Sequence, residues 1–171
     1  MRFFTKSSKL AALATTLLIL ATSTHADGGN KTDKYGPVAT MPASVKSECA
    51  SCHMVYPAGL LVAKDWQRIL SKLDKHYGTD ASVSPQELTL IAPYFVNNAS
   101  TRPERHVSTT DLPRLTTTPW FVRKHNELPN KVFTHAAIKS AANCAACHTQ
   151  AEKGSFSERQ IVVPGYENRK W

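Results

Sequence analysis

The sequence predicts a mainly α-helical protein built as two small lobes that share an interface. Apolar residues recur at helical spacing in several stretches, and no extended alternating pattern of the kind that builds a sheet is found. The pattern Cys-x-x-Cys-His also occurs twice, at Cys49–His53 and Cys144–His148. The two copies stand 95 positions apart, so they belong to different segments of the fold rather than to a tandem cluster.

The elements follow in chain order. Residues 1–26 read as an export signal: Arg2, Lys6 and Lys9 make a basic start, Leu10 to Ala21 is a short apolar run, and Thr24-His25-Ala26 offers a small-residue cleavage site. That run of about 12 residues is short of the ~20 that cross a bilayer. Residues 27–43, rich in Gly, Thr, Lys and Pro, read as a flexible leader. An N-terminal lobe is expected over 44–100 and a C-terminal lobe over 101–171. In the first, Trp66, Ile69, Leu70, Leu73 and Tyr77 predict one amphipathic helix from Ala63 to Tyr77, closed by Gly78, with His76 on its apolar side. Ser84-Pro85-Gln86-Glu87 is a helix start with a capping box, and Leu88, Ile91, Ala92 and Phe95 continue one stripe that Pro93 should kink or restart. Asn98 to Thr117 reads as loop. Thr118-Pro119 opens a short helix that Pro129 ends by Leu128 or earlier, and alanine-rich Phe133 to Ala146 is expected to be helical up to the second motif.

The two motifs use all four cysteines of the chain. In Cys-x-x-Cys-His each thiol adds to one vinyl group of a porphyrin and the histidine binds its iron from the proximal side. Two covalently attached c-type haems are therefore expected, on Cys49 and Cys52 with His53, and on Cys144 and Cys147 with His148. A zinc site of four thiolates needs no histidine after either pair. A thioredoxin-like site uses one pair in a βαβ setting that this chain lacks, and ordinary disulfides would not place His after both pairs.

What each iron does depends on its sixth ligand: a second protein ligand suits electron transfer, an open position suits catalysis. Outside the signal and the motifs, the spare histidines are His76, His106, His125 and His135, and the spare methionines are Met41 and Met54. Met54 follows a proximal histidine directly and cannot reach the other side of that haem, while Met41 falls in the leader. Two bis-histidine irons are the arrangement these residues favour. His76 is the choice for the first haem. For the second, His125, after Trp120-Phe121, comes ahead of His135, nine residues before Cys144, with His106 behind both.

The formal charge of +8 falls when the signal leaves, to 18 basic against 13 acidic residues. Four propionates, offset by one positive charge per ferric haem, bring the oxidised protein near +3. This modest balance, with export, argues against nucleic acid as a partner. Arg102 with Arg105, and Arg123 with Lys124, are candidate patches for an acidic redox partner, or else a solvated face or propionate ligands.

Several stretches together carry a family resemblance: Cys49-Ala-Ser-Cys-His-Met-Val-Tyr-Pro-Ala-Gly-Leu-Leu, Asp65-Trp66, Leu73-Asp-Lys-His76-Tyr-Gly-Thr-Asp-Ala-Ser, Thr118-Pro-Trp-Phe-Val-Arg-Lys-His125 and Lys139-Ser-Ala-Ala-Asn-Cys144-Ala-Ala-Cys-His. Over residues 44 to 165 the chain resembles the exported dihaem cytochromes c of proteobacteria, the DHC family. The resemblance implies two cytochrome c-like helical haem lobes and bis-histidine ligation of both irons, with distal histidines at His76 and His125. It agrees with an electron carrier rather than an enzyme, the role the four spare histidines favour; the export signal and the lack of any later spanning stretch predict a periplasmic protein, not itself membrane-spanning after cleavage. Its implied partners are a soluble oxygen-binding monohaem cytochrome and, as donor, a membrane cytochrome b. Two readings compete: a peroxidase-like enzyme with one open haem, which resembles chains about twice as long, and the small dihaem subunit of a periplasmic nitrate reductase, whose motifs lie closer together.

Overall fold

The computed structural model describes residues 41–107 and 111–169. The expected signal segment, the leader as far as residue 40, and Trp171 lie outside them. Among the described residues there are five α-helices: α1 (Ala43–Cys49), α2 (Ala63–Leu70), α3 (Pro85–Asn97), α4 (Pro119–Lys124) and α5 (Asn130–Phe133). Short 3-10 turns join them, and three isolated β-bridges replace any strand.

The helix starts follow their capping chemistry. At α3 the Ser84 hydroxyl accepts the Glu87 amide and the Glu87 carboxylate accepts the Ser84 amide, the reciprocal pair predicted from the sequence. At α4 the Thr118 hydroxyl accepts the Phe121 amide, and Pro119 fills the first helical position, where no N–H is needed.

Three apolar clusters hold the molecule. The first joins α1, α2 and α3 through Val45, Leu61, Trp66, Ile69, Ile91 and Phe95. Trp66 stacks on Phe95 at 4.5 Å, and its indole N–H donates to the Ala58 carbonyl at 2.6 Å, so its polar edge is satisfied inside the cluster. The second cluster ties the two halves of the chain together: Leu60 packs with Trp120 and Phe121, flanked by Tyr56, Ala141 and Phe156. Arg105, 1% exposed, clamps this junction. Its guanidinium donates to the Gly59 carbonyl and lies 4.1 Å over the Trp120 ring. The third cluster, Val132, Ile138 and Val163, supports the second Cys-x-x-Cys-His segment.

Four expectations change. The amphipathic stretch from Ala63 does not run to Tyr77 as one helix: α2 stops at Leu70, and Leu73–Lys75 form a 3-10 turn. The Leu73 carbonyl is taken by the amides of His76 and Ala81, and Tyr77 adopts φ 51°, which no helix continues. Pro93 neither kinks nor restarts α3, which runs through it to Asn97. Proline removes one helical hydrogen bond, and the packing of Ile91, Tyr94 and Phe95 on either side of it holds the helix together. Phe133 to Ala146 is not helical beyond α5. Lys139 sits at φ 67°, and the Asn143 side chain donates to the Ile138 carbonyl, so the segment folds back in turns that bury Ile138. Met41, expected in the leader, is buried in the first cluster, and α1 begins at Ala43.

Candidate haem sites

The first Cys-x-x-Cys-His begins on the last residue of α1. Cys49 ends the helix, and the chain turns through Cys52 to His53. The His53 Nδ1–H donates to the Met54 carbonyl at 2.7 Å, which leaves Nε2 as the free coordinating nitrogen. The Tyr56 ring stacks on His53 at 4.9 Å. Across from it, after the 3-10 turn, stands His76, with ring centroids 6.2 Å apart and planes 20° from parallel.

The second motif is a 3-10 turn, Cys144–Ala146, whose Cys144 carbonyl accepts the amides of Cys147 and His148. The facing residue is His125, at the end of α4, with ring centroids 6.1 Å from His148 and planes crossed at 81°. The Phe121 carbonyl accepts both the backbone amide of His125 at 3.1 Å and its Nδ1–H at 2.9 Å. The Phe121 ring also stacks on the imidazole at 4.0 Å. Cys144, Cys147, His125 and His148 all line one cavity of 1020 Å³, with Trp120 and Phe156 among its walls. No disulfide engages any of the four cysteines.

These residues fit the group their pattern calls for. Two imidazole–metal bonds of about 2 Å hold the centroids of two rings whose Nε2 atoms aim at one metal about 6 Å apart, and the two pairs stand at 6.2 Å and 6.1 Å. Burial lowers the proton affinity of His76, and the nearby His53 adds to the effect. It takes His148 down to about 4, with His125 contributing. Burial also lowers His125, against the bond to Phe121, which raises it. The neutral imidazole so favoured is the form that binds a metal. Before attachment to haem, burial pushes the Cys144 thiol up to about 11 and raises Cys49 and Cys147.

His106 and His135 lie apart from these pairs. His135 packs under the turn at Gly165, where an added Cβ would meet its Nε2 at 2.8 Å, and its Nδ1 accepts the Ala137 amide. His106 donates to the carboxylate of the fully buried Asp65, at 3.0 Å and 3.1 Å to the two oxygens. Met41 belongs to the first cluster. Arg105 is buried, so the Arg102–Arg105 patch does not present both charges to a partner. Lys124 lies 3.9 Å from Glu158, with the side chains of both largely exposed.

The sequence profile of the dihaem cytochrome c family, DHC, matches residues 45–156. The chain belongs to the dihaem cytochrome c family. Among solved structures it resembles the diheme cytochrome c of Shewanella baltica OS155, with 36% identity and a TM-score of 0.64 over 72% of this chain and 93% of that one. The diheme cytochrome c of Rhodobacter sphaeroides is 40% identical, with a TM-score of 0.59 over 68% of this chain and 98% of that one. A search of curated proteins finds no match. The cytochrome carries two covalently bound haem c groups on its four cysteines, and its family implies electron transfer. No helix among the described residues is long and apolar enough to cross a membrane.

Two contacts had only a faint signal in the sequence. Tyr56, three residues past His53, sends its hydroxyl to the Ala142 carbonyl at 2.8 Å, two residues before Cys144, and so ties the two attachment segments together. The Phe121 carbonyl that holds His125 is marked only by the four-residue spacing within one helical turn.

Proposed function

We propose that the protein is a periplasmic electron carrier with two bis-histidine irons. It takes electrons from a membrane donor such as a cytochrome b and passes them to a soluble partner such as an oxygen-binding monohaem cytochrome. The reading rests on one observation above all: each motif histidine faces a second histidine, His53 with His76 and His148 with His125, at the separation one bridging metal requires. Haem iron held between two such ligands changes oxidation state by one electron and leaves no position for substrate.

The chain's own residues do the rest. His53, His76, His125 and His148 offer neutral nitrogens to the irons, and the carbonyls of Met54 and Phe121 hold two of those rings by Nδ1. Trp120, Phe121 and Phe156 wall the second site against water, and Tyr56 keeps the two attachment segments in register. With both coordination positions filled from the protein, the carrier reading is favoured over a peroxidase-like enzyme. The residues before Asp27 fit export, which covalent haem attachment in a bacterial periplasm requires.

Stopped-flow mixing of the dithionite-reduced protein with a ferric oxygen-binding monohaem cytochrome tests the reading. Rapid transfer that slows with salt is expected. Transfer no faster than to an unrelated ferric cytochrome would remove the proposed acceptor. Peroxide turnover by the resting protein would instead favour the enzyme.

A further inference from the structure

We infer that the two iron centres are electronically unlike, and that Phe121 is the positioning residue that makes them so. The inference rests on the bis-histidine reading above and adds to it the angle between the facing rings. At the first pair the imidazole planes lie 20° apart; at the second they cross at 81°.

The difference has a local cause in the chain. His125 is the residue after α4, and the carbonyl of Phe121, one turn back, accepts both its amide and its Nδ1–H. A side chain bonded back to its own last turn has little freedom about χ1 and χ2. The Phe121 ring then lies on the imidazole at 4.0 Å and 20° and sets its plane. Phe133 meets the same imidazole from another side at 6.2 Å. The facing His148 is oriented separately, by the short turn of its motif and by Phe156 at 5.2 Å. Among the described residues its buried Nδ1 has no hydrogen-bond partner, so no hydrogen bond fixes its angle.

The first pair is built in the opposite sense. There the motif histidine holds the carbonyl bond, from His53 to Met54, and the facing histidine has a buried Nδ1 without a partner among the described residues. His76 follows a 3-10 turn instead of closing a helix, and it meets Tyr77 edge-on at 4.7 Å and 69°.

Ring angle matters because each imidazole donates π-electron density perpendicular to its own plane. Parallel rings both donate into the same iron d orbital and split it from its partner. Crossed rings feed both orbitals equally and leave them nearly degenerate. Axial-ligand arrangement and the hydrogen bonds behind it are levers by which a protein sets a haem iron's electronics. The first centre should be a rhombic low-spin ion, the second a strongly anisotropic one.

Low-temperature EPR of the oxidised holoprotein tests this. Two low-spin signals in equal amount are expected. One is an ordinary three-line rhombic spectrum and the other a single feature far to low field. Phe121→Leu should shift the low-field feature toward the rhombic type and leave the three-line spectrum unchanged, while Phe121→Tyr, which keeps the ring, restores it. If Phe121→Leu does not accumulate, Phe156→Leu frees the facing ring and should move the same feature. Two signals of one type in the unmodified protein, or a low-field feature untouched by these substitutions, would overturn the inference while leaving bis-histidine ligation standing. A high-spin signal in the unmodified protein would overturn the ligation itself.

Discussion

Removing the carboxylate of Asp65 should markedly destabilise the first half of the molecule. Asp65 is fully buried in the first turn of α2. Its carboxylate accepts the Val107 amide at 2.9 Å and the His106 Nδ1–H, and Arg68 lies 3.5 Å away, so one side chain holds the returning segment against α2. In Asp65→Ala the Val107 amide, in a residue 7% exposed, loses its acceptor, at roughly 1–3 kcal/mol. His106 and Arg68 have side chains 28% and 31% exposed and regain water in part, so their loss adds about 1 kcal/mol. The expected total is ~3 kcal/mol, about 10 °C in the melting temperature of a chain of this size. Asp65→Asn keeps an acceptor for Val107 and should cost about half as much, and His106→Ala about 1 kcal/mol. Thermal unfolding of the holoproteins, followed by far-ultraviolet circular dichroism, gives all three values. A loss below about 0.5 kcal/mol in Asp65→Ala would refute the argument that this carboxylate organises the return of the chain.

Gly165 is the third residue of the turn closed by the Tyr166 amide and the Val163 carbonyl, at φ 80°. Gly165→Ala meets both the left-handed backbone and the His135 ring and should cost roughly 2–3 kcal/mol, against about 1 kcal/mol for Gly78→Ala, which has open space; equal losses would dismiss the contact with His135. Burial raises the Tyr56 phenol from 10.0 to about 12. Between those values the unfolded chain loses a proton that the folded chain keeps, so stability should fall as pH rises through that window. Tyr56→Phe should cost about 1 kcal/mol near neutrality and flatten this alkaline slope, as urea unfolding across the pH range would show; an unchanged slope would clear Tyr56. In an EPR-monitored reductive titration the low-field signal should disappear first. Cys52 and His53 are exposed while Cys147 and His148 are half-buried, and a less polar surrounding favours the reduced, less charged iron. The reverse order would show that solvent access does not rank the two potentials.

The sequence by itself determined the chemistry and much of the local structure. Covalent attachment needs cysteines and histidine at one short spacing, so the two haems could be read from ten residues. The Ser84–Glu87 and Thr118 caps were legible because a cap is made by neighbours in the chain. Tertiary structure decided whatever depends on residues far apart. Spacing left His125 and His135 both open for the second site. The folded chain brings His125 across from His148 and seats His135 under Gly165, because α4 is docked on Leu60 from the first half and on Arg105. Helical periodicity could not foresee that α2 would end at Leu70, or that α3 would run through Pro93, since long-range packing outweighs one lost turn or one missing hydrogen bond. The angle between facing rings lies furthest from the sequence. It depends on how two segments meet, one from each side; the four-residue spacing of Phe121 and His125 marks how one ring is held and says nothing of the other.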